Sequence, residues 1–167
     1  DLATFTLAYH HYDLRAGLCY CVNNGTVEDF LGQLDADAPV GAENWDVSYG
    51  IDRPYQAVTH DLALARGVFA LGGGGVVRAT YAFQVNNRQE YEQTRESVTG
   101  PQYDFTLRTH SLDVEYKHGS ADLGPRSSLE GGLGASGSFQ ENVYRGLPLI
   151  PNHRSGSGGV YAVERLS

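Results

Sequence analysis

A two-residue period sustained from Val76 to Glu90 limits the fold more than any other feature of the chain. Val77, Ala79, Tyr81, Phe83 and Val85 occupy every second position, and Arg78, Thr80, Ala82, Gln84, Asn86 and Arg88 fill the places between. Successive side chains of a β-strand point to opposite faces, so this pattern makes one apolar and one polar face. The run is far longer than the strand of ~5 to 6 residues usual in soluble sheets.

Four other segments carry the same signal. Ser128 to Asn142 sets Leu129, Leu133, Ala135 and Phe139 against Ser128, Glu130, Ser136, Ser138, Gln140 and Asn142, thinned by Gly131, Gly132, Gly134 and Gly137. Ala57 to Ala70 carries Val58, Leu62, Leu64 and Val68 opposite Thr59, Asp61 and small residues, with His60 and Arg66 interrupting the apolar set. Ala3 to Ala16 places Phe5, Leu7 and Tyr9 opposite Thr4, Thr6 and His10. Tyr103 to Lys117 holds two apolar sets of different parity, Phe105 and Leu107, then Leu112, Val114 and Tyr116, which fits a bulge or an exit from the apolar layer. Gly159 to Leu166 reads as a shorter sixth strand.

The links between these strands alternate in length. Residues 71–75 and 118–126 are short, whereas 17–56, 92–102 and 143–156 are long. Short turns at one end and long loops at the other, joining strands of ~11 residues or more, form the pattern of an outer-membrane barrel. The expected fold is therefore all-β: antiparallel up-and-down transmembrane β-barrel strands, about six of them. A soluble all-β carbohydrate- or surface-binding domain, or a small structural outer-membrane barrel, is the alternative. The last needs an even strand count of at least ~8.

Charge is local. Glu28, Asp29, Asp35, Asp37, Glu43, Asp46 and Asp52 stand against Arg53 in the first long loop, seven minus one giving -6 of the chain's net -8. That balance disfavours a phosphate backbone, so nucleic acid is not an expected partner. Within the loop, Thr26 followed by Asp29 and then Phe30, Leu31 and Leu34 predicts a short capped helix. The acidic residues read as a solvated loop, because Asp35-Ala-Asp37 lacks the ligand density and glycine of a calcium loop.

No run approaches the ~18 apolar residues of a spanning helix. The absence of Met and of a basic-then-apolar leader reads as a cut N-terminus. Cys19 and Cys21 sit too close for an ordinary disulfide and read as two inert thiols or a strained loop bridge, not a metal site. His10, His11, His60, His110, His118 and His153 are scattered, and no metal, cofactor or enzymatic constellation can be assembled from spacing alone. Leu71 to Gly75 is Gly-rich but joins two strands, so it reads as a turn and not a phosphate cradle.

Tyr81-Ala-Phe-Gln-Val-Asn-Asn-Arg-Gln-Glu90 and Thr109-His-Ser-Leu-Asp-Val-Glu-Tyr116 resemble barrel strands of TonB-dependent outer-membrane receptors, nearest the ferric-citrate-receptor-like branch. Gly146-Leu-Pro-Leu-Ile-Pro-Asn-His-Arg154 is similar to a loop-to-strand passage of that family, with His153 in place of the usual aromatic, and Ile51 to His60 resembles its descent from a long loop. The matches fall within residues 51–166. The resemblance implies a barrel of ~22 strands with a plugged lumen. Residues 1–167 would then be a partial barrel domain carrying the long external loop 17–56, with no plug domain present.

The function so implied is uptake of an iron chelate, of siderophore or ferric-citrate type, or of another small nutrient across the bacterial outer membrane, without covalent chemistry. The implied partners are the ligand, outer-membrane lipid, the remainder of the barrel and plug, and the TonB energy-coupling complex acting through the plug. On this reading Val77, Tyr81, Phe83, Leu133 and Phe139 face lipid, and Arg78, Gln84, Gln140 and Asn142 face the lumen. Arg88, Gln140, Asn142 and Arg145, near the long-loop end, are the candidate ligand-binding residues, because guanidinium pairs bidentately with carboxylates. Tyr103 and Tyr144 lie at the mouth, where Tyr103 reads first as an interfacial belt residue.

Overall fold

The computed structural model describes residues 2–18, 26–38, 42, 48–92, 99–125, 127–147 and 150–167. Its regular elements are β1 (Ala3–Gly17), α1 (Val27–Leu34), β2 (Tyr55–Ala70), β3 (Val76–Tyr91), β4 (Tyr103–Gly124), β5 (Ser127–Gly146) and β6 (His153–Leu166), with a 3-10 turn at Gly72–Gly74. The chain is all-β. The strands form one antiparallel sheet in the order β1-β2-β3-β4-β5-β6, open at the β1 and β6 edges and not closed into a barrel.

The strands are 15, 16, 16, 22, 20 and 14 residues long from β1 to β6. All exceed the ~9 to 11 residues that cross a bilayer in a barrel. The β2–β3 and β4–β5 turns lie at one end of the sheet, together with the start of β1 and the end of β6. The three long links lie at the other. β4 and β5 extend past the β2–β3 turn as a hairpin, with register shifts at His118/Ala121 and Asp122/Gly124, so residues 118–124 are strand.

Register fixes which alternating sets share a face, since directly paired residues of neighbouring strands lie on one side. One face, the apolar face, carries Phe5, Leu7 and Tyr9 of β1, Tyr81 and Phe83 of β3, Leu112 and Val114 of β4, Leu133 and Phe139 of β5, and Val160 of β6. Phe5 meets Phe69 edge-on at 5.4 Å between ring centres, and His110 packs on Phe83 at 4.6 Å while its Nδ1 lies 2.7 Å from the Tyr81 hydroxyl. Four successive rows, from Val77 to Phe83 on β3, make an apolar band about 20 Å long at ~6.6 Å per residue pair.

Two expectations about phase change here. The large aliphatic residues of β2, Val58, Leu62, Leu64 and Val68, pair with Arg88, Gln84, Ala82 and Arg78 and therefore lie on the polar face. β2 gives the apolar face Ala63, Ala65 and Gly67 instead, and the two alanines leave a shallow furrow between Leu7 and Tyr9 on one side and Tyr81 on the other. In β4 the register runs unbroken from Tyr103 to His118, so of the two alternatives the exit from the apolar layer holds and the bulge does not. Phe105 and Leu107 point to the polar face, and Leu112, Val114 and Tyr116 to the apolar one.

No described hydrophobic residue is buried, and Gln102 and Asn142 are the buried polar ones among the described residues. The sheet is a single layer without a core. Gln102 ties the long-loop end together: its N–H donates to the Glu90 carbonyl at 2.9 Å, its side-chain Oε1 accepts from Glu92 N–H at 2.7 Å, and its carbonyl accepts from Leu147 N–H at 2.8 Å. Arg53 donates to the Thr99 carbonyl at 3.1 Å and covers the Tyr91 ring. Tyr91 stacks on Tyr55 at 4.4 Å, and burial raises the Tyr91 phenol above its ordinary pKa. α1 forms as expected, with a capping box in which Thr26 Oγ1 accepts from Asp29 N–H and the Asp29 carboxylate accepts from Thr26 N–H, each at 3.0 Å. Cys19, Cys21, Glu43 and Asp46 lie outside the described residues.

Candidate functional site

On the polar face, toward the long-loop end, three strands build a small grid. One row holds Arg88, Phe105 and Tyr144, the next Asn86, Leu107 and Asn142, and the third Gln84, Thr109 and Gln140. With strands ~4.8 Å apart and residue pairs ~6.6 Å apart along each strand, the grid measures about 10 by 13 Å. Three of the four candidate residues, Arg88, Gln140 and Asn142, stand in it.

The fourth does not. Arg145 pairs with Asp104, and both belong to the other face, so the sheet itself separates Arg145 from Arg88. The two cations assigned to one anionic ligand cannot converge on it from this sheet. Arg88 is also engaged already, with its Nη2 2.6 Å from the Glu90 carboxylate. Such a half-exposed pair is worth only ~0 to 1 kcal/mol, yet it cancels the charge locally.

Asn142 is 6% exposed, and its Nδ2 reaches the Pro151 carbonyl at 3.5 Å. It holds the β5–β6 link and offers a ligand little surface. The Asn152 side chain joins this arrangement by accepting from Tyr144 N–H. The sequence phrase Ile-Pro-Asn-His thus has a structural use: its carbonyl and amide groups turn the chain from β5 into β6.

Aromatic rings border the grid at the mouth. Phe105 lies 4.9 Å from Tyr144 and 6.4 Å from the near-parallel ring of Tyr103, centre to centre. The Tyr144 hydroxyl and His60 Nε2 are both covered and without a hydrogen-bond partner. Both lie on the polar face, His60 in the row of Asn86 and Tyr144 in the row of Arg88. Sequence spacing did not mark His60 or Phe105 as site residues, because what brings Phe105 into the grid and His60 beside it is cross-strand register and not local pattern.

Charge is distributed unevenly over the two faces. From the row of Gln84 to the long loops, the described strand residues of the polar face include just two formally charged side chains, Arg88 and Glu90, which neutralise each other. The short-turn half of the same face holds Arg78 paired to Glu115 at 3.1 Å, with Lys117 beside that carboxylate at 3.5 Å. On the apolar face, a row directly beyond the band runs His11, Asp61, Val85, Arg108, Glu141 and Arg154. His11 Nδ1 is 2.8 Å from Asp61, and Arg154 is 2.7 Å and Arg108 4.0 Å from Glu141.

Asp61 is engaged by His11 and by the Tyr9 hydroxyl, while His60, next to it in the chain, points to the opposite face. Among the described residues no group of three or more His, Cys, Asp or Glu side chains is placed to hold a metal ion. The grid offers amides, hydroxyls and aromatic faces, which bind by hydrogen bonding and stacking. No family model, curated protein or solved structure matches the chain.

Proposed function

We propose that this chain is a barrel segment of an outer-membrane uptake receptor, with the apolar face turned to lipid and the polar face to the lumen. The observation that carries the reading is the exposed apolar band on a coreless sheet. Phe5, Leu7, Leu112, Leu133 and Val160 are all exposed there, and the band stops at a row of paired charges. A water-soluble sheet would have to cover such a patch, whereas lipid covers it directly. Strand length supports the same reading.

The strand phrases that resemble TonB-dependent receptors support a small nutrient as the transported ligand, an iron chelate in the branch they most resemble. The segment binds and passes its ligand without covalent chemistry, and the open β1 and β6 edges pair with the remaining strands of a larger plugged barrel. The rival reading is a soluble all-β binding domain in which a second sheet packs on the apolar face.

Flotation separates the two. Native protein extracted in detergent and reconstituted with phospholipid vesicles should rise with the vesicles in a density gradient and stay with them through an alkaline carbonate wash. Protein that remains at the bottom of the gradient, soluble without detergent, contradicts the membrane reading.

A further inference from the structure

The grid on the polar face has a chemical character of its own, and resting on the lumen reading of that face, we infer that its ligand is an uncharged, hydroxyl-rich molecule of the carbohydrate class. The first observation is electrostatic. A site for a carboxylate-rich chelate needs unneutralised cations, yet Arg88 is held by Glu90 at 2.6 Å and Arg145 stands on the opposite face. Residues 17–56, with a net charge of -6 in sequence, join β1 to β2 at this end of the sheet, a charge that disfavours an anionic ligand.

The second observation is the donor set. Gln84, Asn86, Thr109 and Gln140 present amide and hydroxyl groups from three adjacent strands on one face. Each primary amide donates and accepts at once, which matches a sugar hydroxyl that also does both. Charged neighbours would favour charged ligands; among the described strand residues this half of the wall holds only the mutually paired Arg88 and Glu90, in contrast with the charged short-turn half.

The third observation is the pair of rings at the mouth. Phe105 and Tyr144 are inclined at 34° with centres 4.9 Å apart, forming an apolar surface beside the amides. The C–H faces of a pyranose ring pack on such a surface while its hydroxyls reach the amides at the rim.

Native protein purified in detergent would be titrated by calorimetry with a panel of neutral oligosaccharides, including maltohexaose, cellohexaose and xylohexaose, and with ferric citrate. The expected result is binding within the neutral panel that changes less than twofold between 20 and 500 mM NaCl. Phe105→Ala and Gln140→Ala should each weaken that binding at least tenfold, and Phe105→Trp should retain it, which guards against a variant that has merely lost its fold. Binding confined to ferric citrate and falling with salt would overturn the inference, as would no binding by any neutral sugar. The flotation result on the same sample keeps the two ideas apart. Protein that floats but ignores sugars overturns the ligand alone, and protein that binds sugars but does not float overturns the membrane reading alone.

Discussion

His118 and Glu164 meet across a whole strand. They belong to β4 and β6, and Gly131 of β5 lies between them in register, its missing side chain leaving room for the 3.0 Å contact from His118 Nε2 to the Glu164 carboxylate. A Cβ at Gly131 would stand 2.2 Å from Glu164 Oε2 and 2.3 Å from the Val163 carbonyl. His118 Nδ1 sits 2.7 Å from the Gly119 carbonyl, so both ring nitrogens face acceptors. A neutral imidazole donates from one nitrogen only, and the doubly protonated ring satisfies both.

From this geometry His118 should titrate above the ordinary histidine value of ~6.5, held up first by Glu164 and then by the Gly119 carbonyl. The pair lies at the level of the β2–β3 turn, outside the apolar band. A raised folded-state pKa stabilises the protein fully below the unfolded value, and the contribution is lost as pH rises through the folded one. An NMR titration of the His118 imidazole should show the elevation, and Glu164→Gln should remove most of it. A wild-type value at or below 6.5 would refute the assignment.

Gly146 is the most constrained glycine at the long-loop end. Its φ of +100° disfavours an L side chain, and a Cβ there would lie 2.3 Å from the Gln102 carbonyl that receives Leu147 N–H. Gly146→Ala should destabilise the protein by about 1 to 3 kcal/mol. Denaturant unfolding in detergent checks this, with Gly72→Ala, which meets open space, as the near-neutral control.

β2 gives the sharpest test of facing. Hydropathy alone would send Leu64 to lipid and treat Ala65 as a spacer, but register places Leu64 on the polar face and Ala65 beside Leu7 and Tyr81 on the apolar one. Ala65→Arg should therefore cost about 2 to 4 kcal/mol in a bilayer and Leu64→Arg much less. The same contrast is expected between Tyr81→Arg and Gln84→Arg. Folding equilibria in vesicles measure all four, and equal costs within either pair would contradict the assigned faces.

What could be read from sequence divides along physical lines. β3 and β5 were legible because their alternation is an intrinsic two-residue property, and α1 because Thr26 and Asp29 cap it locally. The facing of β2 was not legible, since alternation says that two sets differ without saying which side each takes. The first half of β6, His153 to Gly158, is Ser- and Gly-rich and forms a strand through pairing with β5, with no apolar signal of its own. The Arg88–Glu90 pair was within reach, because residues two apart on a strand share a face. Arg145's side depended on parity carried across two strand pairings, and that is a tertiary fact.

An apolar face that meets lipid and a polar face that meets water differ in what collides with them. Single nitroxide labels introduced through Tyr81→Cys, Leu112→Cys and Leu133→Cys on that face, and through Gln84→Cys, Ser111→Cys and Ser138→Cys on the other, would be compared in vesicles after replacement of Cys19 and Cys21. Electron paramagnetic resonance power saturation then reads collision with lipid-soluble oxygen against a water-soluble nickel chelate. The account predicts oxygen-dominated collision at 81, 112 and 133 and nickel-dominated collision at 84, 111 and 138. Protection of 81, 112 and 133 from both reagents would place them in a dry protein core and contradict it.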